Sequence, residues 1–160
     1  MQTVTIIVPG KLKEGYLRDA QEEYRKRLTA FCKINIIEVS AEPLPASPSD
    51  AQIRAALEKE GKRLLDAVPK GAFVYALCIE GKQRPSETFS RELDRLAVEG
   101  NGSVAFLIGS SFGLSEDVKR RADSRLSMSE MTFPHQLARV MLLEQLYRAF
   151  QISSGGKYHK

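Results

Sequence analysis

The chain has no tryptophan, two cysteines and two histidines among 160 residues. Two cysteines, Cys32 and Cys78, cannot build a disulfide scaffold or a multi-cysteine zinc site. Both lie in apolar runs, which predicts buried thiols in a reducing compartment. His135 and His159 stand far apart with no H-E-x-x-H between them, so no metal is expected. No stretch approaches the ~18 apolar residues of a membrane span. The start, Met1-Gln2-Thr3-Val4-Thr5-Ile6-Ile7-Val8, lacks the basic segment and long apolar run of a secretion signal, so a cytoplasmic protein is expected. The glycine fingerprints of dinucleotide and P-loop sites are missing as well.

What remains is ordinary in composition. Hydrophobic residues make up 42% and charged residues 28%, which fits one folded domain over 1–160 and excludes a disordered or fibrous chain. The net charge is +4 and the isoelectric point about 9.1, which permits a phosphate-bearing partner without demanding one.

Four short apolar runs read as strands: Val4–Val8, Ile34–Val39, Phe73–Ile79 and Val104–Ile108. Between them lie helical patterns. Leu17, Ala20, Tyr24, Leu28 and Phe31 recur at helical spacing. Three prolines at 43, 45 and 48 force a loop, after which Ser49 or Asp50 caps a helix with Ile53, Ala56, Leu57, Leu64 and Leu65 inward. A third helix spans about Ser86 to Val98 and a short one Ser115 to Ala122. Strands apolar on both faces that alternate with helices predict an α/β fold, a parallel sheet with helices on both faces. The last helix, about Pro134 to Ile152, is apolar nearly all round. It needs cover on more than one side, and a homodimer contact is the preferred source of that cover over a single large core contact.

Three segments suggest chemistry. Gly109-Ser110-Ser111-Phe112-Gly113 matches G-x-S-x-G after a strand, which raises a cofactor-free serine hydrolase with Ser111 as nucleophile. Against that, the following helix starts late and no oxyanion segment precedes it. The plainer reading is a glycine-bordered loop at a strand's carboxyl end, where open α/β sheets bind ligands. The second segment, Leu126-Ser127-Met128-Ser129-Glu130-Met131-Thr132-Phe133-Pro134-His135, offers soft apolar side chains and backbone held out of a helix, a slot for a flat heterocycle. The third is the tail Lys157-Tyr158-His159-Lys160, free to swing on Gly155-Gly156.

Taken together, these segments resemble the bacterial ribosomal RNA large-subunit methyltransferase H family, of the SPOUT class. The resemblance runs from Val8–Lys13 through Leu77–Lys82, Leu107–Gly109 and Leu126–Gln136 to Arg139–Phe150 and Tyr158-His159-Lys160. It implies an α/β fold with a C-terminal trefoil knot, a homodimer, and methyl transfer from S-adenosylmethionine to N3 of a pseudouridine in 23S rRNA, in a stem-loop at the ribosomal subunit interface. The family's cofactor positions fall on Leu77, Gly109, Met128, Ser129, Glu130, Met131, Thr132 and Phe133. Tyr158 and His159 are the candidate catalytic pair, His159 as base. Arg139, Lys160 and His135 are candidate RNA contacts. Where the family often carries two glycines this chain has Gly109-Ser110, which adds bulk beside the retained glycine. A non-catalytic RNA-binding assembly factor is the remaining alternative. Lys119, Arg120, Arg121 and Arg125, with Lys11, Lys13 and Lys82, are basic residues near strand ends that RNA binding would use.

Overall fold

The computed structural model describes residues 1–160. It contains β1 (Thr3–Pro9), α1 (Gly15–Leu28), β2 (Lys33–Val39), α2 (Asp50–Asp66), β3 (Phe73–Gln83), α3 (Ser86–Val98), β4 (Ser103–Leu107), α4 (Glu116–Arg121), β5 (Ser124–Ser127) and α5 (His135–Ser153). The strands form one sheet in the order β2-β1-β4-β3-β5, and every pairing is parallel. The α/β architecture with helices on both faces stands as expected from the pattern.

One sheet face carries Val4, Ile6, Tyr75, Val104 and Phe106, packed under α1, α3 and α5 with Leu28, Leu93, Leu142, Leu143 and Leu146. Tyr75 and Phe106 stack with ring centroids 4.8 Å apart at its centre. The opposite face carries Ile7, Val74, Ala76, Ala105 and Leu107 under Leu64 of α2 and Val118 of α4. Alternate residues of each strand thus supply the two cores, as period-2 geometry requires.

Several helix ends follow from local chemistry. Ser49 caps α2: its hydroxyl accepts from the Gln52 N–H, and the Gln52 side chain accepts in return from the Ser49 N–H. Ser115 caps α4 by accepting from the Val118 N–H. The all-round apolarity of α5 has a cause inside the chain. It lies on the sheet between α1 and α3, packing closely against both, so three of its sides are covered within one protomer.

Two features depart from expectation. The sheet has a fifth strand, β5, in a segment the periodicity leaves irregular. Its partner β3 runs to Gln83 rather than stopping at Ile79, with a bulge that sets both Leu77 and Lys82 opposite Leu126. At Gly81 a Cβ would lie 2.9 Å from the carbonyl carbons of Arg125 and Leu126, so only glycine lets β3 pass this close to β5. Cys32 is buried as expected, whereas Cys78 is only half-buried.

Candidate functional site

The bulged middle of β3 and the carboxyl ends of β4 and β5 converge on a cavity of about 510 Å³. Leu77, Cys78 and Ile79 come from β3, Ile108 to Ser111 from the turn after β4, and Leu126 from β5. The segment from Met128 to Gln136 closes the remaining side. Its volume lies within the roughly 300–1,000 Å³ that small-molecule sites occupy.

Of the residues expected to hold a cofactor, Leu77, Gly109, Met128, Ser129, Met131, Thr132 and Phe133 all line this one cavity. Glu130 does not line it and points to solvent. Met131 is 73% exposed and Ile79 50% exposed, so the rim of the cavity presents apolar surface to solvent. The Ser129 hydroxyl accepts from the Met131 N–H at 3.0 Å, folding the segment into a tight turn. The peptide N–H groups of the lining residues Ser129 and Thr132 have no acceptor within the protein, leaving donors free to read a ligand's edge.

The turn after β4 is held by sterics. A Cβ at Gly109 would lie 2.2 Å from the Gly113 carbonyl oxygen. Gly113 itself sits at φ +90° and donates its N–H to the Ser110 carbonyl at 2.9 Å. The Ser110 side chain, the chain's departure from a second glycine, donates to Glu60 Oε1 at 2.7 Å. Its bulk is thereby drawn toward α2. Ser111 makes no hydrogen bond to His135 or to any carboxylate, and α4 begins only at Glu116. The nucleophile-base contact and the strand-turn-helix geometry of a hydrolase elbow are both missing.

His135 lines the cavity at the start of α5. Burial, and then the nearby Arg139 guanidinium, hold its imidazole below the usual histidine value. A second cavity of about 310 Å³ adjoins, sharing Ser110, Ser111, His135 and Gln136 and bordered by Lys11, Lys13 and Glu60.

Arg139 requires a correction. It is 1% exposed, with Nη1 donating to Glu38 at 2.8 Å and to Gln21 at 3.2 Å, and Nη2 to the Gly10 carbonyl at 3.2 Å. A guanidinium sealed under α1 and the β1 end cannot reach an RNA phosphate, so its work here is structural. Lys160 is exposed at the chain end, as a phosphate contact would require.

The tail does not hang free. Gly155 takes φ +74°, and the Gly156 N–H donates to the Gln151 carbonyl at 2.8 Å, turning the chain back along α5. Tyr158 packs edge-on to Tyr147 at 4.8 Å, with the Arg148 guanidinium 4.8 Å over its ring. His159 Nε2 lies 2.7 Å from Glu87 Oε1 and Nδ1 lies 3.0 Å from Arg148 Nη1. Arginine can only donate, so Nδ1 accepts and Nε2 carries the hydrogen. Neither Tyr158 nor His159 lines the cavity of their own protomer.

The basic cluster is partly neutralised. Lys119 pairs with Glu80 at 2.5 Å and Glu116 at 3.7 Å, Arg120 pairs with Asp117, and Arg121 with Asp123 at 3.8 Å. The Lys119 contact holds the Glu80 carboxyl below the usual range. Lys11, Lys13 and Lys82 are exposed and carry no ion pair.

An open parallel sheet whose strand ends frame an apolar, glycine-bordered cleft defines an α/β ligand-binding domain with its site where topology places such sites. A family model described as "Predicted SPOUT methyltransferase" matches residues 1–159, and the chain belongs to that family of methyltransferases. The ribosomal RNA large subunit methyltransferase H of Exiguobacterium sibiricum is 51% identical over 157 residues, 98% of this chain and 99% of that one. The protein of the same name from Clostridium acetobutylicum is 50% identical over the same shares. Among solved structures, a probable methylase family protein from Haemophilus influenzae Rd KW20 has a TM-score of 0.58 at 14% identity, over 98% of this chain and 70% of that one, a likeness of fold alone.

Proposed function

We propose that this chain is an S-adenosylmethionine-dependent methyltransferase of large-subunit ribosomal RNA, acting on N3 of a pseudouridine in 23S rRNA in the cytoplasm. The observation that carries this reading is the convergence of Leu77, Gly109 and the Met128–Phe133 segment on one cavity in a chain about half identical, end to end, to proteins named for that reaction.

The residues fit the cofactor. Leu77, Ile108, Leu126 and Met128 give an apolar bed for a flat adenine. The free N–H groups at Ser129 and Thr132 can read polar edges, and glycine at 109 lets backbone approach closely. When bound, S-adenosylmethionine supplies an electrophilic methyl group on a positively charged sulfur. The chain's own task is alignment, which can contribute about 7–11 kcal/mol of the barrier. The acceptor N3 carries a proton that would have to leave as the nitrogen took the methyl group, so the chain must supply a base there. His159 is the proposed base, its Nδ1 taking the proton once released from Arg148, Tyr158 is the stacking platform for the acceptor base, and Lys160 lies near a phosphate.

Because the tail packs against α5 and Glu87 and does not line the cavity of its own protomer, the active site is proposed to be shared in a homodimer, the tail of one copy completing the cavity of the other. The half-buried aromatic face formed by Tyr24, Phe31, Tyr147 and Phe150 along α1 and α5 is the kind of surface a protein interface enriches. A C-terminal trefoil knot belongs to the same proposal and rests on the family resemblance.

The test is mass spectrometry of 23S rRNA nucleosides from cells with and without the gene. Loss of one methylated pseudouridine, restored by the intact gene, is expected. An unchanged nucleoside profile overturns the reading.

A further inference from the structure

Glu60 lies on the buried face of α2 and is 4% exposed. Its neighbours on the helix, Lys59 and Arg63, are turned instead to Glu42, at 3.5 and 2.8 Å. A buried carboxylate without a cation is costly and persists where its hydrogen bonds are needed. Glu60 has two such bonds. Oε1 accepts from Ser110 Oγ at 2.7 Å and Oε2 from the Glu42 N–H at 2.9 Å. One residue on, Gly61 packs so tightly on the α4 cap that a Cβ there would lie 2.4 Å from Ser115 Oγ. The segment between β4 and α4 is therefore gripped at both ends by α2, at Ser110 by Glu60 and at Ser115 by Gly61. Gly109, Ser110 and Ser111 of this gripped segment form a wall of the cavity.

We propose that Glu60 is a positioning residue: through Ser110 it fixes the Gly109–Gly113 turn in the one shape whose backbone walls the cofactor cavity. This rests on the reading of that cavity as the S-adenosylmethionine site. Glu60 itself does not line that cavity. Without it the turn samples other shapes, and binding must bear the cost of ordering it. Once the cofactor is bound the turn is ordered again, so the chemical step is unaffected. Ser110 is thus the coupling that this chain uses where a second glycine would make none.

The experiment measures S-adenosylmethionine affinity by calorimetry, and KM and kcat for methylation of ribosomes, in wild type, Ser110→Ala, Glu60→Ala and Glu60→Gln. Ser110→Ala and Glu60→Ala are expected to bind the cofactor about tenfold more weakly, with KM rising in step and kcat at saturation unchanged. Glu60→Gln keeps wild-type affinity, because its amide oxygen still accepts from Glu42 and its NH₂ donates to the Ser110 hydroxyl. A purely structural role lowers melting temperature and leaves affinity alone. Should Glu60→Ala fail to fold, Ser110→Ala, a change at a half-buried loop position, still decides the question. Folded Ser110→Ala with wild-type affinity, or a fall in kcat at constant KM, overturns the proposal. A wild-type chain that binds no S-adenosylmethionine overturns the functional reading beneath it, a distinct result.

Discussion

Arg139 of α5 and Glu38 of β2 form an ion pair at 2.8 Å, with the arginine side chain 2% and the glutamate side chain 33% exposed. The pair, with the bonds to Gln21 and Gly10, ties the helix that begins at the cavity to the far edge of the sheet. Removing one partner of a buried pair strands the other. Arg139→Met is therefore expected to cost about 3 kcal/mol, the low end for such losses because Glu38 keeps some water. Chemical denaturation checks the loss. The salt dependence of RNA binding should match wild type, since Arg139 neutralises no phosphate.

His135 gives a pH signature. Its folded value is held below the ordinary 6.5 by burial and by Arg139. The folded state resists protonation there, so the stability it contributes is full above about pH 6.5 and is lost as pH falls toward the lower folded value. Wild type should lose more melting temperature between about pH 7.5 and about pH 5 than His135→Gln does. Equal losses contradict the assignment.

Cys32 acts at the other end of the scale. Burial pushes its thiol from 9.0 up to about 11. With the folded value raised, the contribution is full below about pH 9 and is lost as pH rises toward 11. Tyr75, also raised chiefly by burial, adds to the alkaline loss. Cys32→Ala should flatten the stability curve above about pH 9 relative to wild type, as followed by denaturant midpoints.

Gly109→Ala tests the turn. The added Cβ would meet the Gly113 carbonyl oxygen at 2.2 Å, so the turn must open or the strand end shift. Cofactor binding should fall below detection by calorimetry, while the two sheet cores, built from side chains outside the turn, keep the domain folded by circular dichroism.

The tail carries its own prediction. Tyr158→Ala with His159→Ala should abolish methylation yet leave S-adenosylmethionine affinity within about twofold of wild type. Mixing this variant with a cofactor-site variant should restore partial activity if the two contribute to one site in trans. Methylation at the wild-type rate refutes the tail's role.

Much of the architecture is legible in the sequence because apolar runs such as Phe73–Ile79 and periodic faces such as Phe89, Leu93 and Leu96 are local signals. β5 is not legible. Ser-Arg-Leu-Ser is short and polar, and it becomes a strand only because β3 pairs with it on both sides of its bulge. Strand order is equally silent, since periodicity reports faces and never neighbours. Arg139 looks like a solvated interruption of α5, and only the partners Glu38, Gln21 and Gly10, distant in sequence, reveal it as buried. Glu60 did leave a trace. Spacings of three and four carry the inner face of α2 through Ile53, Ala56 and Leu57 to position 60 and on to Leu64. A carboxylate on that face signals a buried acceptor. The Met128–Phe133 segment is legible through its composition and the resemblance together, whereas its meeting with Leu77 and Gly109 is a property of the fold.

The most direct measurement is a crystal structure of the protein grown with S-adenosylhomocysteine. The account predicts the nucleoside between Leu77, Gly109 and Met131, with its adenine on the apolar bed and its polar edges on the free amides of the Ser129–Thr132 turn. Ligand density elsewhere on the fold, with this cavity filled only by solvent, contradicts it.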